Sequence, residues 1–491
     1  MSIQEIVYCV LALVLCAFFV LLKWNEVRYS RKGMPPGNMG WPIFGETAGF
    51  LKQGPDFMKC KRARYGNVFK SHALGSPVVI SMDPELNRYI LKNEAKGLVP
   101  GYPVSMRNIL GNSNIAEVHG ALHKRIRGSI LSFIGPAAIR DHLLPEVDKF
   151  MQSFLDNWAG KTIDIQQKTK QMAFFVSMKL IVENEPSPFH EAFKATFDNI
   201  VSGTFSLPIK IPGTNYFRGL QTRKKVVATL KDILVKRRAS LATHADILDQ
   251  LMRNEDFKHK LNDEEIIDQI ITFLYSGYET VSTTTMMAIK YLHDNPRVLQ
   301  EVRQTGIQEE HFAIQQSKKP EDEISWDDYK LMVYTRGVIF ETLRFANIVN
   351  GVLRKATTNV ELNVGIDYGY HLSGFTIPQG WRVYVYTRET NCDPLLYPEP
   401  SKFNPSRWLH FLVVNINEMK MQEKGLEYHN HNMLFGAGVR ICPGKELGIL
   451  IISLFLHYFV TTYRWEVEGN ELLKFPRVEA PNGLYIKVAK Y

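Results

Sequence analysis

The stretch 435–444, FGAGVRICPG, holds a single cysteine, Cys442, in a loop rich in glycine. Two glycines precede the cysteine and a Pro-Gly pair follows it, so the chain is predicted to turn tightly and to direct backbone amides toward the sulfur. Amide donors, together with the neighbouring Arg440, favour the thiolate, which is the form that binds metals. An apolar helix is predicted directly afterwards, over residues 446–460. The pattern indicates that Cys442 carries chemistry; an inert loop cysteine is the alternative.

A second unusual stretch lies at the centre of a long predicted helix. The helix starts at residues 262–265, where a capping asparagine and acidic residues suit a helix N-terminus, and it is expected to end before the Asn-Pro pair at 295–296. Its centre, 276–285, carries a glycine, an acid and several hydroxyls among apolar residues. Because such local inconsistencies tend to mark functional sites, we predict that Glu279 and Thr280 relay protons. A satisfied polar contact between helices is the alternative.

These two stretches, together with three others, resemble the signatures of cytochrome P-450 monooxygenases, in the expected order. Glu341 and Arg344 match the ExxR pair, and the segment 403–408, FNPSRW, matches the one whose arginine, here Arg407, locks that pair. The PPG hinge at 35–37, behind an apolar N-terminus, matches the microsomal class. The resemblance covers essentially the whole chain.

The resemblance implies a haem b group whose iron has the Cys442 thiolate as axial ligand. It also implies dioxygen as co-substrate and electrons that come from NADPH through NADPH-cytochrome P-450 reductase. Glu279 and Thr280 would hold the water network that protonates bound dioxygen. The ExxR pair and Arg407 would form a buried ion network that supports the ligand loop.

Haem propionates need cations, and the chain offers several candidates. The stretch from His123 to Arg127 falls where the family usually has WxxxR, so that His123 replaces the tryptophan and Arg127 keeps the arginine. A basic helix turn on the surface is the alternative. The other residues predicted to contact the haem are Arg354, Arg440, Phe435 and Gly436.

Five shorter sequence segments indicate the substrate class. The segments that resemble plant brassinosteroid C-6 oxidases are 97–103, 212–216, 275–284, 348–355 and 384–389. This resemblance implies oxidation of 6-deoxocastasterone at carbon 6 to castasterone, and in some relatives onward to brassinolide. The alternatives are another brassinosteroid position, a diterpenoid acid, abscisic acid, or an inactive haem-binding scaffold. The residues predicted to line the steroid pocket, with ordinary core packing as the alternative for each, are Ile109, Leu110, Phe273, Ile348, Val349, Asn350 and Leu484.

The N-terminus predicts a membrane anchor. Residues 6–22 carry no charge, and the length of this stretch is at the lower end of what spans a bilayer. The acidic start and the absence of a small-x-small site disfavour a cleaved signal peptide, and the basic residues that follow keep the bulk of the chain in the cytosol. We therefore predict a single-pass anchor of the endoplasmic reticulum at 1–23, a basic, proline-containing linker at 24–40 and a catalytic domain at 41–491.

Composition is typical of a folded globular protein. Of 491 residues, 45% are hydrophobic and 22% charged, which excludes wholesale disorder. Five scattered cysteines without a CxxC argue against a disulfide scaffold or a zinc ribbon. The net charge of +9 lies in short clusters without a nucleic-acid-binding motif, so we expect contact with the membrane and an acidic reductase but no nucleic acid; a solvated helix surface is the alternative. We also expect a monomer.

Helical and strand patterns predict the fold class. Residues 120–345 are overwhelmingly helical in pattern, whereas 67–82 reads as a hairpin and strand signals return after residue 350. We therefore predict a mainly α protein with small β-sheets, the cytochrome P-450 fold, in one large haem-binding domain.

Two segments, 361–375 and 409–432, are longer than the family needs. We interpret them as surface inserts that could reduce activity, and a metal site at His429 and His431 is the weaker interpretation.

Overall fold

The computed structural model describes residues 3–42, 44–94, 96–182, 188–240, 244, 246–253, 260–298, 314, 322–362, 374–409, 412, 433–469, 471–473 and 475–491. Most of the two segments interpreted as inserts, including His429 and His431, lies outside the described residues.

Helices make up most of the described chain. Numbered in chain order, they are α1 Ile3–Arg28, α2 Thr47–Gln53, α3 Pro55–Tyr65, α4 Pro84–Lys92, α5 Val104–Leu110, α6 Gly120–Ile134, α7 Pro136–Ala138, α8 Leu144–Leu155, α9 Ile165–Val182, α10 Pro188–Thr204, α11 Asn215–Ala239, α12 Ile247–Arg253, α13 Asp263–Asp294, α14 Trp326–Leu331, α15 Val333–Ala346, α16 Arg388–Asn391 and α17 Lys445–Thr462. A π-helical turn at Ile139–Leu143 joins α7 to α8, and 3-10 turns occur at Pro405–Trp408 and Gly438–Arg440.

The strands are short and form small sheets. They are β1 Val68–Ala73, β2 Ser76–Ser81, β3 Leu98–Pro100, β4 Thr162–Asp164, β5 Gly351–Ala356, β6 Val360–Leu362, β7 Phe375–Ile377, β8 Arg382–Tyr386, β9 Tyr463–Glu468 and β10 Tyr485–Lys490. Among described residues, the sheets run β1-β2-β8-β5-β3, β4-β10-β9 and β6-β7. The mainly α fold with small sheets is therefore as predicted.

The predicted hairpin at 67–82 forms from β1 and β2, which pair antiparallel with Val68 opposite Ser81. Its two-residue turn, Leu74-Gly75, has φ of 54° and 71°. Positive φ at both central residues gives a turn whose twist matches that of the flanking strands.

The chain groups into two compact units. The first comprises Met1–Tyr102 and Val349–Thr390, and it contains α1–α4 and the five-stranded sheet. The second comprises Pro103–Ile348 and Asn391–Tyr491, and it contains most of the helices and the three-stranded sheet. The catalytic domain at 41–491 stays a prediction.

The long helix α13 organises the second unit. A capping box starts it, because the Asn262 side chain accepts from the amide of Glu265 at 2.9 Å and the Glu265 carboxylate accepts from the amide of Asn262 at 2.9 Å. It ends at Asp294, before Pro296, as the sequence predicted. Helices α9, α15 and α17 pack along it.

In the part of the chain that the structure describes, the one helix that is long and apolar enough to span a membrane is α17. Since 67% of that span is buried, it is typical of a core helix. The apolar stretch Ile6–Val20 within α1 is shorter, and its large apolar side chains, such as Leu13, are exposed. The predicted N-terminal helix is present, and its role as an anchor stays a prediction.

Candidate active site

The loop that carries Cys442 is closed by its own backbone. The amide of Cys442 donates to the carbonyl of Phe435 at 2.9 Å, and the amide of Gly436 donates to the carbonyl of Met433 at 3.0 Å. Gly436 and Gly438 have φ of 76° and 68°. A left-handed backbone favours glycine at both positions, and this explains why the turn back to the cysteine needs them.

The Cys442 side chain is accessible to solvent yet lies deep in the protein. Burial raises the pKa of its thiol, and the Gly444 amide, Arg127 and Lys445 lower it by less. A loop amide therefore favours the thiolate as predicted, but the cations that do so are Arg127 and Lys445 rather than Arg440, and burial outweighs all three influences. A bound metal ion displaces the proton from such a thiol.

Two predicted propionate partners occupy different places. Arg127, on α6, lies near the cysteine, and its Nη1 donates to the carbonyl of Ile441 at 2.8 Å. Arg440 turns toward the loop before α6, where Nη1 donates to the carbonyl of Ile115 at 2.9 Å and Nη2 donates to that of Val118. Arg440 therefore ties the cysteine loop to the segment before α6, and this contact could not be read from the sequence.

Two further predicted haem partners, His123 and Arg354, are buried. His123 precedes Arg127 by one turn of α6, so the two lie on one face of the helix. Arg354 belongs to the first unit, where it is buried on β5 and donates from Nη1 to the carbonyl of Leu353 at 3.2 Å. Haem contacts for both residues stay predictions.

One stripe of α13 is accessible although the helix is otherwise mostly buried. Ser276 and Thr280 are exposed and Phe273 and Gly277 are half-buried, at the spacing of a single helix face. The hydroxyl of Thr280 donates to the carbonyl of Ser276 at 2.7 Å. The stripe therefore offers an apolar end and a hydroxyl-bearing end.

The helix that carries the stripe, α13, packs against α17, which directly follows the cysteine loop. A Cβ added at Gly448 would lie 3.8 Å from Cγ2 of Val281, so the centre of α13 packs against the beginning of α17. Helix α17 starts at Lys445, three residues after Cys442. An accessible thiol, a cation beside it and an open helix face nearby together fit a haem group.

Glu279 leaves this stripe. Its carboxylate accepts from Nη1 of Arg477 at 3.4 Å, on a different face of α13 from Thr280. Burial raises the pKa of Glu279, and Arg477 and Lys170 lower it by less. The sequence did not indicate Arg477, which lies 198 residues away along the chain.

The predicted ion network is assembled in full. Glu341 is completely buried and accepts from Arg344 Nη2 at 2.8 Å, from Arg407 Nε at 3.1 Å, from the amide of Asn404 at 2.9 Å and from Trp408 Nε1 at 2.9 Å. Arg344 Nε also donates to Glu341, at 2.9 Å. The sequence missed the indole of Trp408 and the Asn404 amide as donors.

Aromatic contacts connect this network to the cysteine loop. The ring of Phe340 lies 5.4 Å from that of Trp408 and 5.7 Å from that of Phe435. Nζ of Lys445 lies 5.7 Å from the Phe435 ring centroid. The network can therefore support the loop through packed side chains rather than through a direct bond.

Three of the predicted substrate residues lie in the hydrophobic core. Ile109, Leu110 and Leu484 are fully buried, and Cδ1 of Ile109 would lie within 2.8 Å of a Cβ built at either Gly203 or Gly219. Ile109 thus fills the space between α10 and α11, which favours the core-packing alternative at this position.

The other substrate candidates divide between the units. Phe273 and Ile348, in the second unit, are partly buried. Val349 and Asn350 belong to the first unit, where Val349 is exposed and Asn350 is buried. The carbonyl of Asn350 accepts from the amide of Thr387 at 2.9 Å. Substrate contacts for these four residues stay predictions.

The cytochrome P450 family model matches residues 35–487, so the chain belongs to that family. Cytochrome P450 85A of Phaseolus vulgaris is 58% identical over 483 residues, 98% of each chain. The 3beta,22alpha-dihydroxysteroid 3-dehydrogenase of Arabidopsis thaliana is 34% identical over 475 residues, which cover 95% of this chain and 94% of that protein.

A solved structure is also similar. The retinoic acid-bound cyanobacterial CYP120A1 superposes with a TM-score of 0.78 and 26% sequence identity, covering 93% of this chain and 99% of that one. The predictions of a cytochrome P-450 fold and of a monooxygenase are therefore confirmed. Members of the family hold haem iron through a cysteine thiolate, which favours cleavage of the O–O bond, and they need a redox partner.

Proposed function

We propose that the protein oxidises carbon 6 of the brassinosteroid precursor 6-deoxocastasterone, first to the alcohol and then to the ketone castasterone. The observation that carries the proposal is the full-length similarity to cytochrome P450 85A. In addition, the segment 275–284, which resembles the C-6 oxidases, contains most of the accessible stripe of α13. The name of the Arabidopsis dehydrogenase supports a steroid, although it specifies another carbon. Oxidation at another brassinosteroid position is therefore the second candidate.

The site residues have separate tasks in this proposal. Cys442 would hold the haem iron through its thiolate, and Arg127 would hold a propionate. Thr280 would order water on the accessible stripe, and Glu279 would supply protons from its own side of α13. The stripe suits a steroid, since the half-buried Phe273 offers an apolar contact and the exposed Ser276 and Thr280 offer hydroxyls on the same face.

The proposed setting is the endoplasmic reticulum membrane. Helix α1 spans 26 residues, or roughly 39 Å at 1.5 Å per residue, and its central apolar side chains are exposed. An exposed apolar helix suits a single-pass anchor, and the basic residues after the apolar stretch place the catalytic part in the cytosol. There it receives electrons from an NADPH-dependent reductase.

Product analysis tests the substrate. The protein is expressed in microsomes with an NADPH-dependent reductase and supplied with 6-deoxocastasterone, a diterpenoid acid or abscisic acid. We expect the 6-hydroxy steroid and castasterone to form. Turnover of the diterpenoid acid without any oxidation of the 6-deoxo steroid would reject the proposal.

Two variants test the site. Cys442→Ala should lose the thiolate-specific band of the reduced carbon monoxide complex, and persistence of that band would reject the ligand assignment.

Thr280→Ala should retain the band but divert electrons from product to hydrogen peroxide. Unchanged coupling would contradict the role of Thr280.

A further inference from the structure

A small polar recess lies beside α13, on a different face from the accessible stripe. Glu279 and Ser282 line it from α13, Thr169 and Lys170 line it from α9, and Arg477 closes it. It offers about 10 Å³ to a water-sized sphere and is partly open to solvent. This is about the space that one water needs, and the polar lining supplies hydrogen-bond partners for it.

The backbone that follows Arg477 is held in place near this recess. Ala480, three residues further along the chain, is bound by the buried side chain of Gln166, which donates to its carbonyl at 2.9 Å and accepts from its amide at 2.7 Å. Backbone hydrogen bonds between Leu473 and Glu479, at 2.9 and 3.0 Å, close the loop that carries Arg477. These bonds fix the backbone on both sides of Arg477, from which its guanidinium reaches Glu279.

Arg477 also joins two carboxylates of unequal exposure. It lies 3.4 Å from Glu279, whose side chain is 19% exposed, and 3.3 Å from Glu479, whose side chain is 39% exposed. Lys170 favours the charged form of Glu279 from α9, whereas Asp198 favours the neutral form from α10. These opposed influences suit a carboxyl group that both takes up and releases a proton.

We propose that Arg477 is the positioning residue of Glu279, holding its carboxylate at a recess through which one water brings protons from solvent. The inference rests on the proton-supplying role proposed for Glu279. The recess water gives a proton to the Glu279 carboxylate and regains one from bulk water, and Glu279 releases its proton toward Thr280. No electrons move in these steps.

An infrared titration of the ferric protein tests the positioning role without turnover. The carboxyl band of Glu279 is the one that disappears in Glu279→Gln. In Arg477→Gln we expect its midpoint to move to higher pH, by about one unit or tenfold in proton affinity, because the carboxylate loses its cation. Arg477→Lys should restore most of the midpoint. An unchanged midpoint in Arg477→Gln, or the lack of any titrating band lost in Glu279→Gln, overturns the proposal.

A matched control excludes a general charge effect. Arg238 pairs with Asp263 at an exposed site, and Arg238→Gln removes one positive charge as Arg477→Gln does. The midpoint of Glu279 should stay at its wild-type pH in Arg238→Gln. An equal shift in the two variants would overturn the specific role of Arg477.

Turnover of 6-deoxocastasterone gives the second readout. Arg477→Gln should lower kcat by roughly tenfold at unchanged KM, release more hydrogen peroxide per NADPH, and keep the carbon monoxide band of a folded enzyme. Wild-type coupling in Arg477→Gln overturns the proposal. If the wild-type protein does not oxidise the steroid, the substrate assignment fails, and the infrared titration alone decides the role of Arg477.

Discussion

Two glutamates in the second unit show how differently the same side chain can be used. Glu341, on α15, is completely buried, and five N–H groups of described residues donate to its two oxygens at 2.8–3.1 Å. Glu279, on α13, is partly exposed and has a single guanidinium contact, at 3.4 Å, beside a recess large enough for one water.

The contrast separates support from chemistry. A carboxylate with all its lone pairs satisfied and no access to water cannot exchange protons readily, so Glu341 serves to hold the segment around Trp408. A carboxylate with incomplete pairing and a neighbouring water can exchange them. Geometry, rather than residue type, therefore distinguishes the two roles.

Breaking the Glu341 network should have the largest effect. Arg344→Met leaves a completely buried carboxylate short of its main cation, and such a loss costs about 3–5 kcal/mol of the free energy of unfolding. Chemical denaturation followed by circular dichroism measures it, and haem content should fall in parallel. A loss below about 1 kcal/mol would contradict the supporting role.

A buried histidine tests whether burial makes stability depend on pH even where a nearby carboxylate, Asp328, opposes the effect. Burial lowers the pKa of His457, on α17, from 6.5 to about 4. Above pH 6.5 both folded and unfolded chains hold it neutral, whereas between pH 6.5 and 4 only the unfolded chain takes up the proton. The free energy of unfolding should therefore fall with falling pH, by about 2 kcal/mol from pH 6.5 to 5.

His457→Gln removes this titration. Denaturation at pH 6.5 and at pH 5 should show a smaller loss in the variant than in the wild-type protein. Equal losses in the two proteins would mean that His457 does not carry the dependence.

Arg407→Lys sharpens the comparison within the network. The lysine keeps the charge but loses the planar fork that donates to Glu341 at 3.1 Å and to the carbonyl of Pro398 at 3.1 Å. We expect a loss of about 1 kcal/mol, well below that of Arg344→Met. Since Arg407 is less buried than Arg344, a loss as large as that of Arg344→Met would contradict this ranking.

Glu279→Gln should have the smallest effect on stability. One long contact at a partly exposed site contributes about 0–1 kcal/mol, so the denaturation midpoint should stay near that of the wild type. Product formed per NADPH should nevertheless fall, because the amide cannot carry the proton. A marked loss of stability with unchanged coupling would reverse the roles assigned to Glu279 and Glu341.

The elements predicted well are those whose signals are local. The capping box of α13 joins residues three apart, the Leu74-Gly75 turn joins adjacent strands, and Glu341 and Arg344 share one turn of α15. Each of these depends on interactions within a few residues, which a sequence pattern can display.

The features missed depend on contacts between distant residues. Arg477 meets Glu279 across 198 residues, and Arg440 meets Ile115 across 325. The core position of Ile109 follows from the approach of two glycines on different helices. A pattern in one sequence does not display such distant pairings.

The sequence by itself determined the family, the glycine-rich loop around Cys442 and the long helix with its polar centre, because these are carried by contiguous motifs. The tertiary structure decided the electrostatics. It raised the pKa of Cys442 by burial, turned Arg440 away to backbone carbonyls and set Glu279 against Arg477. The physical reason is that desolvation and ion pairing depend on which surfaces meet, and this is settled only when the helices pack.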